Sequence, residues 1–401
     1  MSSRRPRIET RSSRVPFVAH RDSAVWRTVL STLRGAHSAN QGLLPFFSTR
    51  EAAVLRTLCT KMREAVAVVP WYDRSYDPGE DDFDDGHGEG CYIMSRISGW
   101  RRSFPAARRA RVYGIGAYTG VQGPHVISNA DLEHVAGVRE IIMFACEQLT
   151  DEGVSHLRGV EDLRIAHCSA VTGATFSAIR GVKKLCLMAC RLVSDASLVH
   201  IPGVEYLDLS YCRLISGATF ASIRGVRRVS LYNGSDTDPG LIDDAAIELL
   251  AGVEVLIISG CARVTGSSFA QLRGIKALDA DRCPLLTDGA IAQLAGIREL
   301  SVWGADKLTD GAFLELRGIR RLCVNNNHTI TDAALANLAG IDELAVAYCP
   351  QLTPAAFAHL TGVKKIAMRA CDKDAIAAAA VSNAVVLLDG DLYISIWGGD
   401  K

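Results

Sequence analysis

From residue 137 onward, apolar and polar positions recur with a period much longer than that of a single strand or helix. A Gly followed by Val or Ile stands at Gly137, Gly159, Gly181, Gly203, Gly225, Gly252, Gly274, Gly296, Gly318, Gly340 and Gly362, and every interval is 22 residues except one of 27. Counted from its Gly, each of these eleven units is apolar at positions 2, 5 and 7 and mostly at 13, 18 and 21, as in "GVEDLRIAHCSAVTGATFSAIR". The alternation at 5 and 7 predicts a short strand that buries one face and exposes positions 4, 6 and 8. The spacing of 18 and 21 predicts one helical turn, with Thr or Ser at 14 or Asp at 15 placed to cap its first N–H groups. Such a unit cannot bury its apolar stripe alone, so consecutive units must stack into one curved parallel sheet.

A second period lies inside the first. Position 18 alternates between aliphatic and Phe: Val154, Phe176, Leu198, Phe220, Ile247, Phe269, Ile291, Phe313, Leu335 and Phe357. The true period is therefore two units: large and small side chains stacked in turn fill a convex layer more evenly than a column of either, and duplication of unit pairs would leave the same mark. Position 10 is Cys146, Cys168, Cys190, Cys212, Cys261, Cys283, Cys349 and Cys371, with Gly234, Ala305 and Asn327 as exceptions. A small side chain with a weak donor, placed where the strand ends, can satisfy buried carbonyls there, and Asn327 would do so more strongly. A line of thiols without a CxxC pair does not converge as a metal site needs to. Strand spacing would permit disulfides between neighbours, which a reducing compartment disfavours. Cys186 and Cys323, at position 6, are expected to be exposed and the more reactive thiols.

The run "LxxLxLxxC" followed by "LTD" resembles the leucine-rich repeat, in particular its cysteine-containing kind. The resemblance covers residues 137–383 and implies an α/β solenoid, a curved parallel sheet with short helices on the convex side. A weak copy, "VISNADLEHVA", supplies the helical half of a cap at 112–136, and residues 384–401 form the closing cap.

Toward the amino end, "LPFFSTREAAVLRTLCTKMREAVAVVPW" pairs Ser48 with Glu51 in a capping box, and Val54, Leu55, Leu58, Met62 and Val66 then fall on one helical face. With the preceding apolar helix "SAVWRTVLSTLRG", this predicts a small helical domain over residues 21–75, after a basic tail at 1–20. The segment resembles the latter half of an F-box. That resemblance implies docking to the small adaptor of a cullin-type (SCF) ubiquitin ligase through Phe46, Phe47, Leu55, Leu58 and Met62. The alternative reading is an amphipathic cap on the open end of the solenoid, hence a scaffold with no ligase role.

Residues 76–111 read as a charged linker: the acidic run "EDDFDD" lacks the ligand spacing of a calcium loop, and the arginine-rich "WRRSFPAARRARVYG" is expected to be solvated. "YGIGAYTG" lacks the glycine spacing of a dinucleotide loop. The long fifth unit carries the insert "SDTDPGL", a turn and a candidate contact point.

Charge then narrows the function. Forty-four basic residues balance 44 acidic ones, so no global field favours nucleic acid or anionic membrane. No secretory leader is legible, and the apolar tract Ala375 to Leu388 is too short to span a bilayer. A soluble cytoplasmic chain is expected, with the nucleus as the other compartment. No catalytic triad, HExxH or P-loop occurs, so neither catalysis nor a cofactor is expected. In rows 6 and 8 of the concave face the middle units carry Asp208, Tyr232, Asp279, Asp281 and Trp303, aromatic and acidic anchors suited to a protein substrate.

Overall fold

A computed structural model describes residues 97–113, 127–234, 238–358, 360, 362–368 and 385–387. The helical segment and its Phe46, Phe47, Leu55, Leu58 and Met62 lie outside the described residues. Among those described, thirteen strands form one sheet in strict chain order, every neighbouring pair parallel. Strands β1 (Arg109–Tyr113), β2 (Glu140–Phe144) and β3 (Asp162–Ala166) have five residues, and the ten from Lys184–Cys186 to Val385–Leu387 have three. Equivalent positions pair: Leu163 faces Leu185, Leu207 faces Val229 and Leu344 faces Ile366. Constant register follows from the constant unit length, because a slip of one residue would turn every apolar side chain out of the core. Positions 2, 5, 7, 13, 18 and 21 form one continuous core between the sheet and the convex turns.

The sheet begins earlier than the repeat count does. The described end of the stretch read as solvated linker, residues 97–111, instead forms a helix, Ile97–Ser103, and then enters β1, which pairs with β2. Ile97 and Phe104 are buried over the end of the core, and Arg101 donates through Nη1 to Ala107 O (3.2 Å) and through Nη2 to Ala136 O (3.2 Å). An arginine that satisfies two turn carbonyls while Arg109 pairs with Glu140 at 2.5 Å is part of the cap, so the density of charge here did not mean solvation. At the other end, Val385–Leu387 continues the sheet after the eleventh unit.

The two-unit period is an alternation of helix type. Aliphatic units carry short α-helices (Asp151–Ser155, Asp195–Leu198, Asp244–Glu248, Asp288–Ala292, Asp332–Leu335), and Phe units carry 3-10 turns (Phe176–Ile179, Phe220–Ile223, Phe269–Leu272, Asp310–Phe313, Pro354–Phe357). The cause in the earlier units is position 15. At Gly217 φ is +84°, which no helical first turn adopts, so the turn starts later, at Phe220. A Cβ at Gly217 would also lie 2.4 Å from Ala246 Cβ, so the next unit packs where a side chain would be.

Position 15 in the other units does something the capping expectation missed. Thr at 14 caps its own turn, as Thr150 does for Glu152 N (3.3 Å), but Asp at 15 reaches into the following unit. Asp195 Oδ2 accepts from Ser216 N (2.9 Å) and Ser216 Oγ (2.8 Å), and Oδ1 accepts from Gly217 N (2.9 Å). Asp151 clamps Thr172 and Gly173 in the same way, and Asp244 clamps Thr265 and Gly266. Units therefore lock in pairs, Asp unit to Gly unit, until Asp288, Asp310 and Asp332 extend the clamp through consecutive units. Replacing Asp195 by Ala leaves three donors unmet and is expected to cost about 2 kcal/mol, read as a lowered denaturant midpoint with an unchanged circular-dichroism spectrum.

Position 3 shows the same pairing in charge: Lys183 meets Glu205 at 3.2 Å, and Glu254 lies between Arg227 (3.0 Å) and Lys276 (2.6 Å). These pairs are largely exposed and set the register of neighbours more than they stabilise.

The cysteine column behaves as its position suggests. Thiols donate to the position-7 carbonyl of the preceding unit, Cys190 to Ile165 O (3.4 Å), Cys212 to Leu187 O (3.1 Å), Cys261 to Leu231 O (3.3 Å) and Cys349 to Val324 O (3.2 Å). The described cysteines are all free, and burial pushes the Cys190 and Cys261 thiols up to about 12. Asn327 donates to both Ala305 O (3.1 Å) and Leu308 O (3.2 Å) and accepts from Thr329 N and Ile330 N (both 2.9 Å).

Candidate functional site on the concave face

Positions 4, 6 and 8 point away from the core, but row 6 is not the exposed row that alternation predicts. Cys186 is 7% and Cys323 4% exposed, and Asp208, Ser230, Ile257 and Ser301 are buried with them. Trp303 packs over the patch formed by Cys323, Ala345 and Ala367. The expectation of reactive thiols is therefore corrected: burial pushes Cys323 up to about 12 and Cys186 above the ordinary thiol range, leaving little thiolate.

The outward polar groups are joined diagonally, position 8 of one unit to position 6 of the next. Ser210 Oγ and Ser230 Oγ are 2.9 Å apart, Ser259 Oγ donates to Asp279 Oδ1, and Ser301 Oγ donates to Asp281 Oδ1 at 2.6 Å. Each such pair is 20 residues apart, a signal present in the sequence but hidden when rows are read separately. Asp208 accepts from Ser210 N (2.8 Å) and from Cys186 Sγ (3.4 Å) and is 5% exposed, so of the five predicted anchors it is a support below the surface.

The other four come together. Asp279 Oδ1 also accepts from Asp281 N (3.2 Å), and Asp281 Oδ1 accepts from Trp303 N at 2.8 Å. Burial pushes the Asp281 carboxyl up to about 7, with the Asp279 charge adding to the shift and the Ser301 and Trp303 hydrogen bonds opposing it. Burial raises Asp279 as well. Tyr232 meets Tyr211 edge to face with centroids 5.1 Å apart, and burial with the Tyr211 hydrogen bond pushes its phenol up to about 12.

Two members were missed by reading rows 6 and 8. Arg282 and Tyr211 occupy position 9, where φ is +52° and +59°. That left-handed turn at the strand end brings the Arg282 guanidinium 4.5 Å from the Trp303 ring centroid, a cation–π contact. The result is a half-buried surface of two carboxylates, two tyrosines, a tryptophan and one arginine at the middle of the sheet. Among the described residues, no group of three or more His, Cys, Asp or Glu side chains is arranged to hold a metal, and no helix is long and apolar enough to cross a membrane.

No model of a known family and no curated protein matches the chain. Among solved structures, an internalin (inlF) from Listeria monocytogenes str. 4b F2365 is similar with TM-score 0.52 at 15% identity, over 72% of this chain and 88% of that one. A chain of the Toll–Spatzle complex from Drosophila gives 0.48 at 10%, over 70% and 43%, and one of the yeast Rad7 and Elc1 complex gives 0.40 at 15%, over 62% and 81%. At such identities the likeness reaches the fold alone: the chain folds as a leucine-rich-repeat solenoid.

Proposed function

We propose that the protein is a non-enzymatic interaction module that holds a protein partner on its concave face through Tyr232, Asp279, Asp281 and Trp303, with Arg282 and Tyr211 completing the surface. One observation carries this reading. Two adjacent carboxylates sit half-buried beside aromatic rings, and burial, with the neighbouring Asp279 charge adding to it, pushes Asp281 up to about 7. A cationic side chain of a partner would stabilise these poorly hydrated carboxylates in their ionised form, and the rings would anchor its apolar neighbours.

The finer reading is a substrate-recognition subunit of a cullin-type ubiquitin ligase. Its support is the F-box-like stretch from Leu44 to Trp71, with Phe46, Phe47, Leu55, Leu58 and Met62 as the adaptor contacts.

The two readings are tested separately on the full chain. Captured proteins are compared between wild type and the Trp303→Ala and Asp281→Ala variants. A partner retained by wild type and weakened about tenfold or more by either variant supports the concave site; capture indifferent to both removes it. Purified adaptor is then titrated against the chain and its Leu58→Asp variant. No binding, or binding unchanged by the substitution, leaves a scaffold without ligase association.

A further inference from the structure

The rim at the strands' carboxyl ends carries a second surface, which meets the concave face at Tyr211. Position 12 reads Leu192, Leu214 and Leu241 in three successive units, and these are 49%, 47% and 41% exposed. Isolated exposed leucines are ordinary, but three at the same position of successive units line an apolar row along the loops that follow the strands. Their neighbours at position 13, Val193, Ile215 and Ile242, are buried and complete the core, so packing does not demand leucine one residue earlier.

The stripe ends where the chain departs from its regular length. The long fifth unit brings Leu241 round after the insert and leaves a cleft against the fourth, lined by Tyr211, Cys212, Ile215 and Asn233. Asn233 Nδ2 donates to Asp238 O (2.8 Å) and Gly240 N to Asp238 Oδ1 (3.0 Å), which fixes the loop beside Leu241.

The charge beside the stripe is basic. Arg191 and Arg213 directly precede the first two leucines, and Arg263 takes position 12 in the next unit. Asp238 is the acidic neighbour, 3.6 Å from Arg213 with both side chains well exposed. Strands lie about 4.8 Å apart, close to the roughly 5.4 Å advance of one helical turn, so a helix along the rim can set one side chain against each unit.

We infer that this rim docks an amphipathic helix of a partner protein, with leucine-like residues at helical spacing over Leu192, Leu214 and Leu241 and carboxylates against Arg191, Arg213 and Arg263. The leucines and arginines of this surface are not among the concave anchors, so Trp303→Ala leaves peptide binding here unchanged.

The probe is a synthetic helical peptide of about 18 residues with leucines on one face and glutamates flanking them, and its twin has lysine for each glutamate. Binding to the full chain is followed by fluorescence anisotropy at low salt. The expected result is at least about tenfold preference for the acidic peptide, lost in Leu192→Glu/Leu214→Glu and reversed toward the lysine peptide in Arg191→Glu/Arg213→Glu. No binding, equal binding of the two peptides, or indifference to the leucine variant overturns the inference. It is also overturned if neutralising Asp77, Glu80, Asp81 and Asp82 strengthens peptide binding, which would make the chain's own acidic run the occupant. A dimer in sedimentation that Leu214→Glu disperses would make a second copy the occupant and overturn it equally.

Discussion

Gly260→Ala is expected to lower stability by about 3 kcal/mol, the sum of a left-handed backbone that alanine resists and an overlap that must be relieved. Gly260 has φ +76°, and a Cβ there would stand 1.8 Å from the carbonyl oxygen of Asn233. Backbone cannot rotate aside as a side chain does, and both strands are tied down, Asn233 N to Ser259 O and Gly260 N to Asp281 O (each 2.8 Å). Gly252 separates the two contributions. Its φ is +89° with nothing within 4 Å of a built Cβ, so Gly252→Ala bears the conformational cost alone, about 1 kcal/mol. Denaturant titrations of both variants check this. Equal losses would mean that Asn233 yields freely and that the long fifth unit is not packed as described. Because Asn233 also lines the cleft beside Leu241, Gly260→Ala is expected to disturb the rim as well.

Asp281→Asn is expected to stabilise the protein at pH 8 by about 2 kcal/mol, a figure reduced for the water that reaches the carboxylate's outer edge. The sign follows from linkage. The folded-state pKa is raised to about 7 from an ordinary carboxylate value near 3.8, so between those values the folded chain holds a proton that the unfolded chain has released. Stability at this site is therefore highest at acid pH and falls as pH rises toward 7, after which the deficit is constant. Asparagine accepts from Ser301 Oγ and Trp303 N through Oδ1 as the carboxylate does, but has no charge to crowd against Asp279. Denaturation midpoints from pH 4 to pH 8 should show wild type losing stability and the variant losing less, with the two converging near pH 4. Parallel curves would mean that Asp281 is ionised at no cost, removing the poorly hydrated carboxylate on which the concave binding site rests. The same substitution should weaken a cationic partner at neutral pH while the fold gains, the usual conflict between a site poised to bind and the stability of its scaffold.

Much of the solenoid follows from the order of residues alone, because each repeat's partners are its neighbours in the chain. Apolar positions 5 and 7, the glycine every 22 residues and the cysteine column determine strand, register and stacking, since a unit with an unburied stripe has only the next unit to cover it. The Phe alternation likewise announced a two-unit period. What the sequence did not disclose is contact across units at a distance other than one period. The Asp195 clamp on Ser216, the Ser301 hydroxyl on Asp281 and the Arg282 guanidinium over Trp303 depend on loop path, and the burial of row 6 depends on what its neighbours place over it. Alternation determined which side chains leave the core. Only the tertiary structure decided which of them reach water, because that depends on how closely neighbouring rows lean together, and so Cys186, Cys323 and Asp208 are buried while Tyr232, Asp279, Asp281 and Trp303 remain as the surface a partner can meet.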